Sequence, residues 1–297
     1  KFNSLDAVNY EYKVRAIGSN ISLDRFYSNI DPVSVINELI DISQPIQDNK
    51  TIFVWPEGIL PGISQEELPE YKWLFENRFD ENHLLLFGTN SQLSKDGNID
   101  YFNSLSIYDH NLNLLHFYNK VNLVPFGEFL PIEKILKKIG LRVITNNYQS
   151  FSKGNKRQII EISRENFSIK ILPLICYEII YSGKLSKNHD FDFIINISED
   201  GWFGNSIGPK QHFAHSTFRA VESGKYILRS ANNGIAAIIN PLGIVEQKVK
   251  FGDTGYIDFF ESKNIQPTIF SKYGNKIFII LIFLYIFIIF SFNRIIK

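Results

Sequence analysis

The chain lacks several features that mark common classes of protein. Its 297 residues include a single cysteine, Cys176, and its 31 basic side chains are balanced by 31 acidic ones. A single cysteine excludes a disulfide within the chain. The zero net charge and the absence of a basic run give no indication of a nucleic-acid partner. No Cys/His spacing is typical of a zinc site, and we expect neither a metal nor a cofactor.

Methionine is missing as well, and the chain begins at Lys1. An intact gene product begins with methionine, so we expect this sequence to be a fragment, a processed form or a piece of a longer protein. No secretory signal peptide is recognisable at its start. Apolar residues, in contrast, are plentiful: 44% of the chain is hydrophobic and 14% is aromatic, which is enough to form a substantial core. The composition therefore indicates a folded domain rather than a disordered chain.

The C-terminal part differs in kind from the rest. Residues Ile277–Phe292 form a run of 16 without a charge, between Lys276 and Arg294. A membrane-spanning helix needs about 20 apolar residues, and the two flanking cations can extend to the bilayer interfaces. The pattern predicts one transmembrane helix within residues 271–297, following a domain over residues 1–270. A helix buried in a protein core is the alternative.

Strand-like and helix-like patterns alternate over residues 1–270. Apolar positions spaced by three or four residues predict helices over Pro32–Ile42, Gln65–Asp80 and Gln211–Ser230. Short β-branched and aromatic runs between turn signals predict the strands. These are Tyr12–Ile17, Thr51–Trp55, Leu84–Phe87, Ser104–Tyr108, Leu114–Tyr118, Gln158–Ile162, Ser168–Ile175, Phe191–Ile197, Ala236–Ile239, Ile244–Val249 and Tyr256–Phe259. Such alternation is typical of a layered α/β domain.

One further segment, Ile132–Ile139, has the pattern of a short basic amphipathic helix. Its apolar positions follow a helical period, and lysines lie between them. The segment either packs on the core as an ordinary surface helix or contacts lipid.

Three reactive side chains lie beside apolar, strand-like runs. Cys176 follows the run ILPLI, where a nucleophile can expose its sulfur while the next backbone N–H groups face a developing oxyanion. Glu57 follows the strand that ends in VWP and has the chemistry of a general base. Lys120 lies in NKVNLVPFGE, and its ammonium can stabilise an oxyanion. Together they favour covalent acyl transfer, if the fold brings them together.

Each of these residues also has an ordinary interpretation. A lone cysteine is often an inert buried side chain, a glutamate after a strand is often a turn carboxylate, and a lysine is often a surface cation. Glu128 and Glu178 lie close in sequence to Lys120 and Cys176. These two carboxylates either hold Lys120 charged and oriented or are ordinary surface acids.

The order and the flanks of these residues carry a family resemblance. The motifs are VWPEG (Val54–Gly58), NKVNLVPFGEFLP (Asn119–Pro131), CYE (Cys176–Glu178) and a long run that begins NISEDGWFG (Asn196–Gly243). The chain resembles the carbon–nitrogen hydrolase (nitrilase) superfamily over about residues 10–260, and more closely its apolipoprotein N-acyltransferase family. The resemblance implies an α/β fold, an α-β-β-α sandwich, followed by one C-terminal transmembrane helix. It also makes residues 1–270 the catalytic domain.

The resemblance assigns roles to the candidate residues. Glu57 is expected to be the general base, Lys120 the cation that stabilises the oxyanion and Cys176 the nucleophile that carries the acyl group. The family's supporting residues match Glu128, Tyr177 and Glu178. On the helix that follows, an ion pair between Arg219 and Glu222 is expected to support the site.

The function implied is an N-acyltransferase with a ping-pong mechanism. An acyl chain passes from a phospholipid to the cysteine as a thioester, and then to the N-terminal amine of a diacylglyceryl-cysteine apolipoprotein. The expected partners are therefore the phospholipid donor, the apolipoprotein acceptor and the membrane bilayer. The expected location is the bacterial cytoplasmic (inner) membrane, where the full-length protein crosses several times and the catalytic domain lies on the periplasmic side.

Two departures from the family pattern stand out. Ser198 is followed by Glu199 where the family has asparagine, and Phe26 and Tyr27 stand where the family has tryptophan. Two other functions remain open alongside the transferase. One is a membrane-tethered, nitrilase-like amidase or hydrolase that uses water as the acceptor, and the other is a non-enzymatic module with a decayed site.

Overall fold

A twelve-stranded sheet organises the residues described by the computed structural model. These are residues 6–27, 30–95, 97–131, 150–164, 166–183, 185–186 and 188–295. The strands are β1 (Val8–Ser19), β2 (Thr51–Val54), β3 (His83–Lys95), β4 (Asn98–Asp109), β5 (Leu114–Asn119), β6 (Ile160–Arg164), β7 (Phe167–Ile175), β8 (Phe193–Glu199), β9 (Tyr226–Asn232), β10 (Ala236–Ile239), β11 (Val245–Val249) and β12 (Gly255–Ser262).

The sheet has two similar halves. Its order is β5-β4-β3-β2-β1-β9-β8-β7-β6, with β12 paired to β1 and β10 paired to both β9 and β11. In one half β1, β2 and β3 run parallel, and in the other β7, β8 and β9 do. Antiparallel strands extend each half outward. The carboxyl ends of β2, β5, β7 and β8 therefore come together at one edge.

The two halves face each other across the main core. Alternate residues of both halves, such as Ile52 of β2 and Ile195 of β8, belong to one buried cluster. The opposite face of the first half packs under the helix α1 (Pro32–Ser43), and that of the second half packs under α2 (Gly208–Ser223). The layers are thus helix, sheet, sheet and helix. The predicted α/β sandwich matches this arrangement.

The helix α1 agrees with its prediction for a clear physical reason. Asp31 caps it, because its carboxylate accepts the backbone N–H of Val33, and Pro32 occupies the first turn. The predicted helix over Gln65–Asp80 is wrong, since only a 3₁₀ helix over Leu68–Leu74 forms there.

The prediction over Gln211–Ser230 is wrong in its second half. The helix α2 ends at Ser223, because Gly224 adopts a left-handed conformation (φ 69°) and caps it. Tyr226 then begins β9, a central strand of the sheet. Here the apolar run that follows the glycine forms a buried strand instead of another turn of helix.

Two helices follow the last strand: α3 (Ile269–Tyr273) and α4 (Lys276–Ile295). Within the part of the chain that the structure describes, no helix meets the length and hydropathy needed to cross a membrane. The predicted transmembrane helix is therefore not supported. The boundary at residue 270 stays a prediction, and Ile132–Ile139 lies outside the described residues.

Candidate active site

The nucleophile candidate lies at a sharp turn. Cys176 directly follows β7 and opens a 3₁₀ turn over Cys176–Ile180. Its φ of 46° is a left-handed conformation that non-glycine residues rarely adopt. The side chain is 8% exposed and lines a cavity of about 330 Å³. Strain of this kind at a reactive residue is typical of functional sites.

Glu57 reaches the same cavity from the end of β2. Its Oε1 accepts hydrogen bonds from Lys120 Nζ at 2.9 Å and Asn103 Nδ2 at 2.8 Å. Its Oε2 accepts the backbone N–H of Glu199 at 3.0 Å. The backbone at Glu57 packs closely against β3, and this contact requires a glycine at position 88. A Cβ added to Gly88 would lie 2.4 Å from the backbone nitrogen of Gly58.

Lys120 follows β5 and is almost fully buried. Its Nζ lies 2.9 Å from Glu57 Oε1 and 3.0 Å from Glu128 Oε1. Glu128 is itself fixed, since its Oε1 accepts from Asn103 and its Oε2 accepts the backbone N–H of Val124 at 2.8 Å. Glu57, Lys120 and Glu128 are called the cavity cluster below. The structure thus brings the three predicted residues and Glu128 to one cavity.

The charges in this cluster set where the protons reside. Burial raises the pKa of the Glu57 carboxyl, but the Lys120 charge and the hydrogen bonds outweigh it, so the net pKa is lowered. Burial lowers the pKa of Lys120, but Glu128 and Glu57 together raise it well above its ordinary value. Burial, and next to it the Glu57 charge, raises the pKa of the Cys176 thiol well above its ordinary value. The resting site therefore holds a carboxylate, an ammonium and a neutral thiol.

This charge state determines what the site can do. Because the thiol is neutral and Glu57 is ionised, Glu57 is placed to take the thiol proton when the sulfur attacks. Lys120 can keep its positive charge when Glu57 takes the proton, because Glu128 Oε1 also lies 3.0 Å from its Nζ. It can stabilise a negative oxygen that develops beside Cys176. The arrangement suits covalent chemistry at a carbonyl carbon.

Both interpretations of Glu178 from the sequence are wrong. It does not hold the Lys120 ammonium, whose hydrogen bonds go to Glu57 and Glu128. Glu178 Oε1 accepts from Tyr118 Oη at 2.8 Å, from the Val121 backbone N–H at 2.9 Å and from Arg157 at 3.2 Å. Its Oε2 accepts the N–H of Ile175, the residue before the nucleophile, at 2.9 Å. Glu178 is fully buried, so it is not a surface acid either. Glu178, Arg157 and Tyr118 form the anchor cluster, which joins the Cys176 turn to the Lys120 segment.

A second buried network contacts the backbone of Cys176. Asp200 accepts from Arg229 at 2.8 Å and contacts His212 Nδ1 at 2.8 Å. His212 Nε2 lies 3.2 Å from the carbonyl oxygen of Cys176. These residues were missed in the sequence, because a histidine and an arginine on separate elements show no spacing signal. The available signals were the position of Asp200 directly after a buried strand and the place of all three residues within the Asn196–Gly243 run.

The remaining predicted residues lie around this core. Tyr177 lines the cavity next to the nucleophile, and its ring meets Tyr181 edge to face at 5.5 Å. The predicted ion pair between Arg219 and Glu222 is present at 2.9 Å. It supports the chain after the nucleophile, because Glu222 also accepts the backbone N–H of Gly183 at 2.6 Å. Among the residues described, no group of side chains is arranged to hold a metal ion.

The cavity is mainly apolar away from the charged cluster. Its other walls include aromatic rings, and Phe26 and Trp202 contact each other with ring centres 4.9 Å apart. An apolar space that ends on a few fixed polar groups suits a ligand with a long apolar part and one reactive polar centre.

Comparison with known proteins identifies the family. The model for carbon–nitrogen hydrolases matches residues 35–257. The chain belongs to the carbon–nitrogen hydrolase family. The match includes Glu57, Lys120 and Cys176, so the site described above lies within the family's domain.

Curated relatives show which group within this family the chain resembles. The chain is 35% identical over 240 residues to the apolipoprotein N-acyltransferase of Rickettsia typhi, covering 80% of this chain and 47% of that protein. It is 35% identical over 289 residues to the Rickettsia bellii protein of that name, covering 94% and 55%. The Bradyrhizobium diazoefficiens protein is 31% identical over 274 residues, covering 89% and 50%. The predicted resemblance to this group is confirmed, and the chain spans about half the length of the curated relatives it matches.

Solved structures agree on the fold. An amidase from Nesterenkonia sp. AN1, solved with the acetamide moiety of fluoroacetamide added covalently at its active-site cysteine, has a TM-score of 0.55. The similarity covers 85% of this chain and 91% of the amidase, at 14% identity. At that identity the likeness establishes a nitrilase-like α/β fold and no more.

Proposed function

We propose that this chain is the catalytic part of an N-acyltransferase that moves an acyl chain from a phospholipid to the amino group of a diacylglyceryl-cysteine on an apolipoprotein. The observation that carries the proposal is the convergence of Cys176, Glu57 and Lys120 on one mainly apolar cavity. The names of the curated relatives support the substrate class. A location at the bacterial inner membrane belongs to the proposal, because a phospholipid donor resides in a bilayer.

The first half-reaction forms the thioester. The sulfur of Cys176 attacks the ester carbonyl carbon as its proton passes to Glu57. The carbonyl oxygen becomes an oxyanion beside the Lys120 ammonium. When the intermediate collapses, the bond to the glycerol oxygen breaks and that oxygen takes the proton from Glu57. The products are a lysophospholipid and an acyl-thioester on the cysteine.

The second half-reaction uses the same groups in reverse. The amine of the acceptor attacks the thioester carbonyl and gives a proton to Glu57. The new oxyanion forms beside Lys120, as before. The sulfur then leaves as a thiolate and recovers the proton from Glu57. The acceptor gains an amide-linked acyl chain, and the enzyme returns to its starting state.

The choice of acceptor separates this proposal from a hydrolase. Full-length protein should be incubated in detergent micelles with a phospholipid, with and without a diacylglyceryl lipopeptide. We expect acyl-lipopeptide by mass spectrometry and little free fatty acid. A Cys176→Ala variant prepared in the same way should make neither product. Rapid release of fatty acid without transfer to the lipopeptide would favour the hydrolase and contradict the proposal.

A further inference from the structure

A buried ion pair that the proposed chemistry does not use lies at the wall of the cavity, and Glu199 of this pair lines the cavity. Glu199, at the end of β8, is 1% exposed, and Arg25, in the 3₁₀ turn Leu23–Phe26, is 7% exposed. A guanidinium nitrogen of Arg25 bonds directly to Glu199 Oε2. Burial raises the pKa of the Glu199 carboxyl, and the Arg25 charge opposes that shift. Breaking either partner leaves an uncompensated charge in the interior.

The carboxylate of Glu199 joins two turns that each carry an aromatic ring. Its Oε1 accepts the backbone N–H of Gly201 at 2.8 Å, which fixes the turn that carries Trp202. Its Oε2 holds Arg25, whose guanidinium carbon lies 4.6 Å from the ring centre of Phe26. Arg25 also donates to the backbone carbonyl of Ser22 at 2.8 Å, which fixes the turn that carries Phe26.

The two rings form one wall of the cavity next to the catalytic groups. Both Phe26 and Trp202 line it, together with Glu57 and Cys176. Glu199 contacts Glu57 only through its backbone N–H, which any residue at that position supplies. Changes to the Glu199 side chain should therefore disturb the aromatic wall while the base keeps its hydrogen bond.

We propose that Arg25 and Glu199 are a positioning pair that sets the Phe26–Trp202 wall and thereby the affinity of the site for the donor's acyl chain. The identification of that ligand as a phospholipid acyl chain rests on the proposed function. The pair also gives the buried charge of Glu199, which stands where the family pattern has asparagine, a cation as partner.

The test separates binding from chemistry. The dissociation constant of a phospholipid with a fluorescent acyl chain is measured in mixed micelles, in a full-length Cys176→Ala background where no turnover occurs. The acylation rate at saturating donor is measured with Cys176 intact. We expect Arg25→Met and Glu199→Gln each to weaken donor binding about tenfold and to change the saturating rate less than about threefold.

Three further variants keep the result interpretable. Arg25→Lys retains the charge and should recover part of the affinity, and the Arg25→Met/Glu199→Gln double variant should lose less than the two single losses combined. Arg15→Met is the matched control. Arg15 is a buried arginine of β1 paired with Asp258 at 2.7 Å, and it does not line the cavity. It should lower thermal stability without changing donor affinity.

Each other outcome overturns the inference. If Arg25→Met lowers only thermal stability, as Arg15→Met does, the pair is merely structural. If the saturating rate falls while affinity is unchanged, the pair acts on Glu57 and not on the wall. Should Arg25→Met fail to fold, Phe26→Ala must show the same tenfold loss of affinity, and normal affinity there contradicts the proposal. If wild-type protein forms no acyl adduct and the Cys176→Ala background binds no phospholipid, the proposed function fails and this inference fails with it.

Discussion

The cavity cluster and the anchor cluster flank the same cysteine with the same kinds of side chain, yet they are built for different tasks. In the cavity cluster, the carboxylate of Glu57 lines open space beside the sulfur. In the anchor cluster, five donors share the two oxygens of Glu178, which is fully buried and does not line this cavity. A carboxylate can accept a proton from a substrate only where the substrate can reach it. Access to the cavity therefore distinguishes Glu57 from Glu178.

The largest expected effect lies in the cavity cluster. Glu57→Gln keeps the shape and removes the base, so acylation of Cys176 should fall about 10²- to 10⁴-fold. Stability should change little, because Lys120 keeps Glu128 at 3.0 Å. Single-turnover kinetics with a phospholipid donor measure the rate, and thermal unfolding measures the stability. An acylation rate within threefold of wild type would remove Glu57 from the mechanism.

In the anchor cluster, a substitution should lower stability more than it lowers the acylation rate. Glu178→Gln removes the negative charge from the buried ion pair with Arg157, and breaking a buried pair costs about 3–5 kcal/mol of folding free energy. The acylation rate per folded molecule should fall less than in Glu57→Gln, because the cavity keeps its base and cation. Denaturant unfolding gives the folding free energy, and the acylation rate divided by the fraction of active sites from titration gives the rate per folded molecule. A normal stability with a rate loss equal to that of Glu57→Gln would show that the two clusters are not distinct.

A smaller effect concerns the Asp200 network under the nucleophile. Burial raises the pKa of Asp200, but Arg229 and His212 outweigh it and lower that pKa from 3.8 to about 2. Because the folded value lies below the unfolded one, Asp200 stabilises the fold above pH 4. That contribution, roughly 2 kcal/mol, is lost as the pH falls from 4 to 2. Unfolding measured across that range should lose this pH dependence in Asp200→Asn. An unchanged profile in the variant would contradict the assignment.

The sequence was sufficient for the parts of the site that lie at strand ends. Glu57, Lys120 and Cys176 each follow an apolar run, and the carboxyl ends of those strands meet at one edge of the sheet. Glu128 was found by its nearness to Lys120. Glu178 was assigned too broadly, since nearness in sequence does not say toward which face of a turn a side chain points.

Other features depend on contacts that local patterns do not contain. The prediction of a helix over β9 fails because Tyr226–Asn232 is buried on both faces, so its sequence shows no alternation of polar and apolar residues. Asn103, which bridges Glu57 and Glu128, gave no signal because it lies within a strand. Arg25 and Glu199 are 174 residues apart, and only the fold brings them together.

The most direct test of the account is the intact mass of the full-length protein after incubation with a phospholipid of defined acyl chain and no acceptor. The account predicts one added acyl group, located on Cys176, released by hydroxylamine and absent in Cys176→Ala. An adduct elsewhere, or lipoprotein acylation that persists in Cys176→Ala, would contradict it.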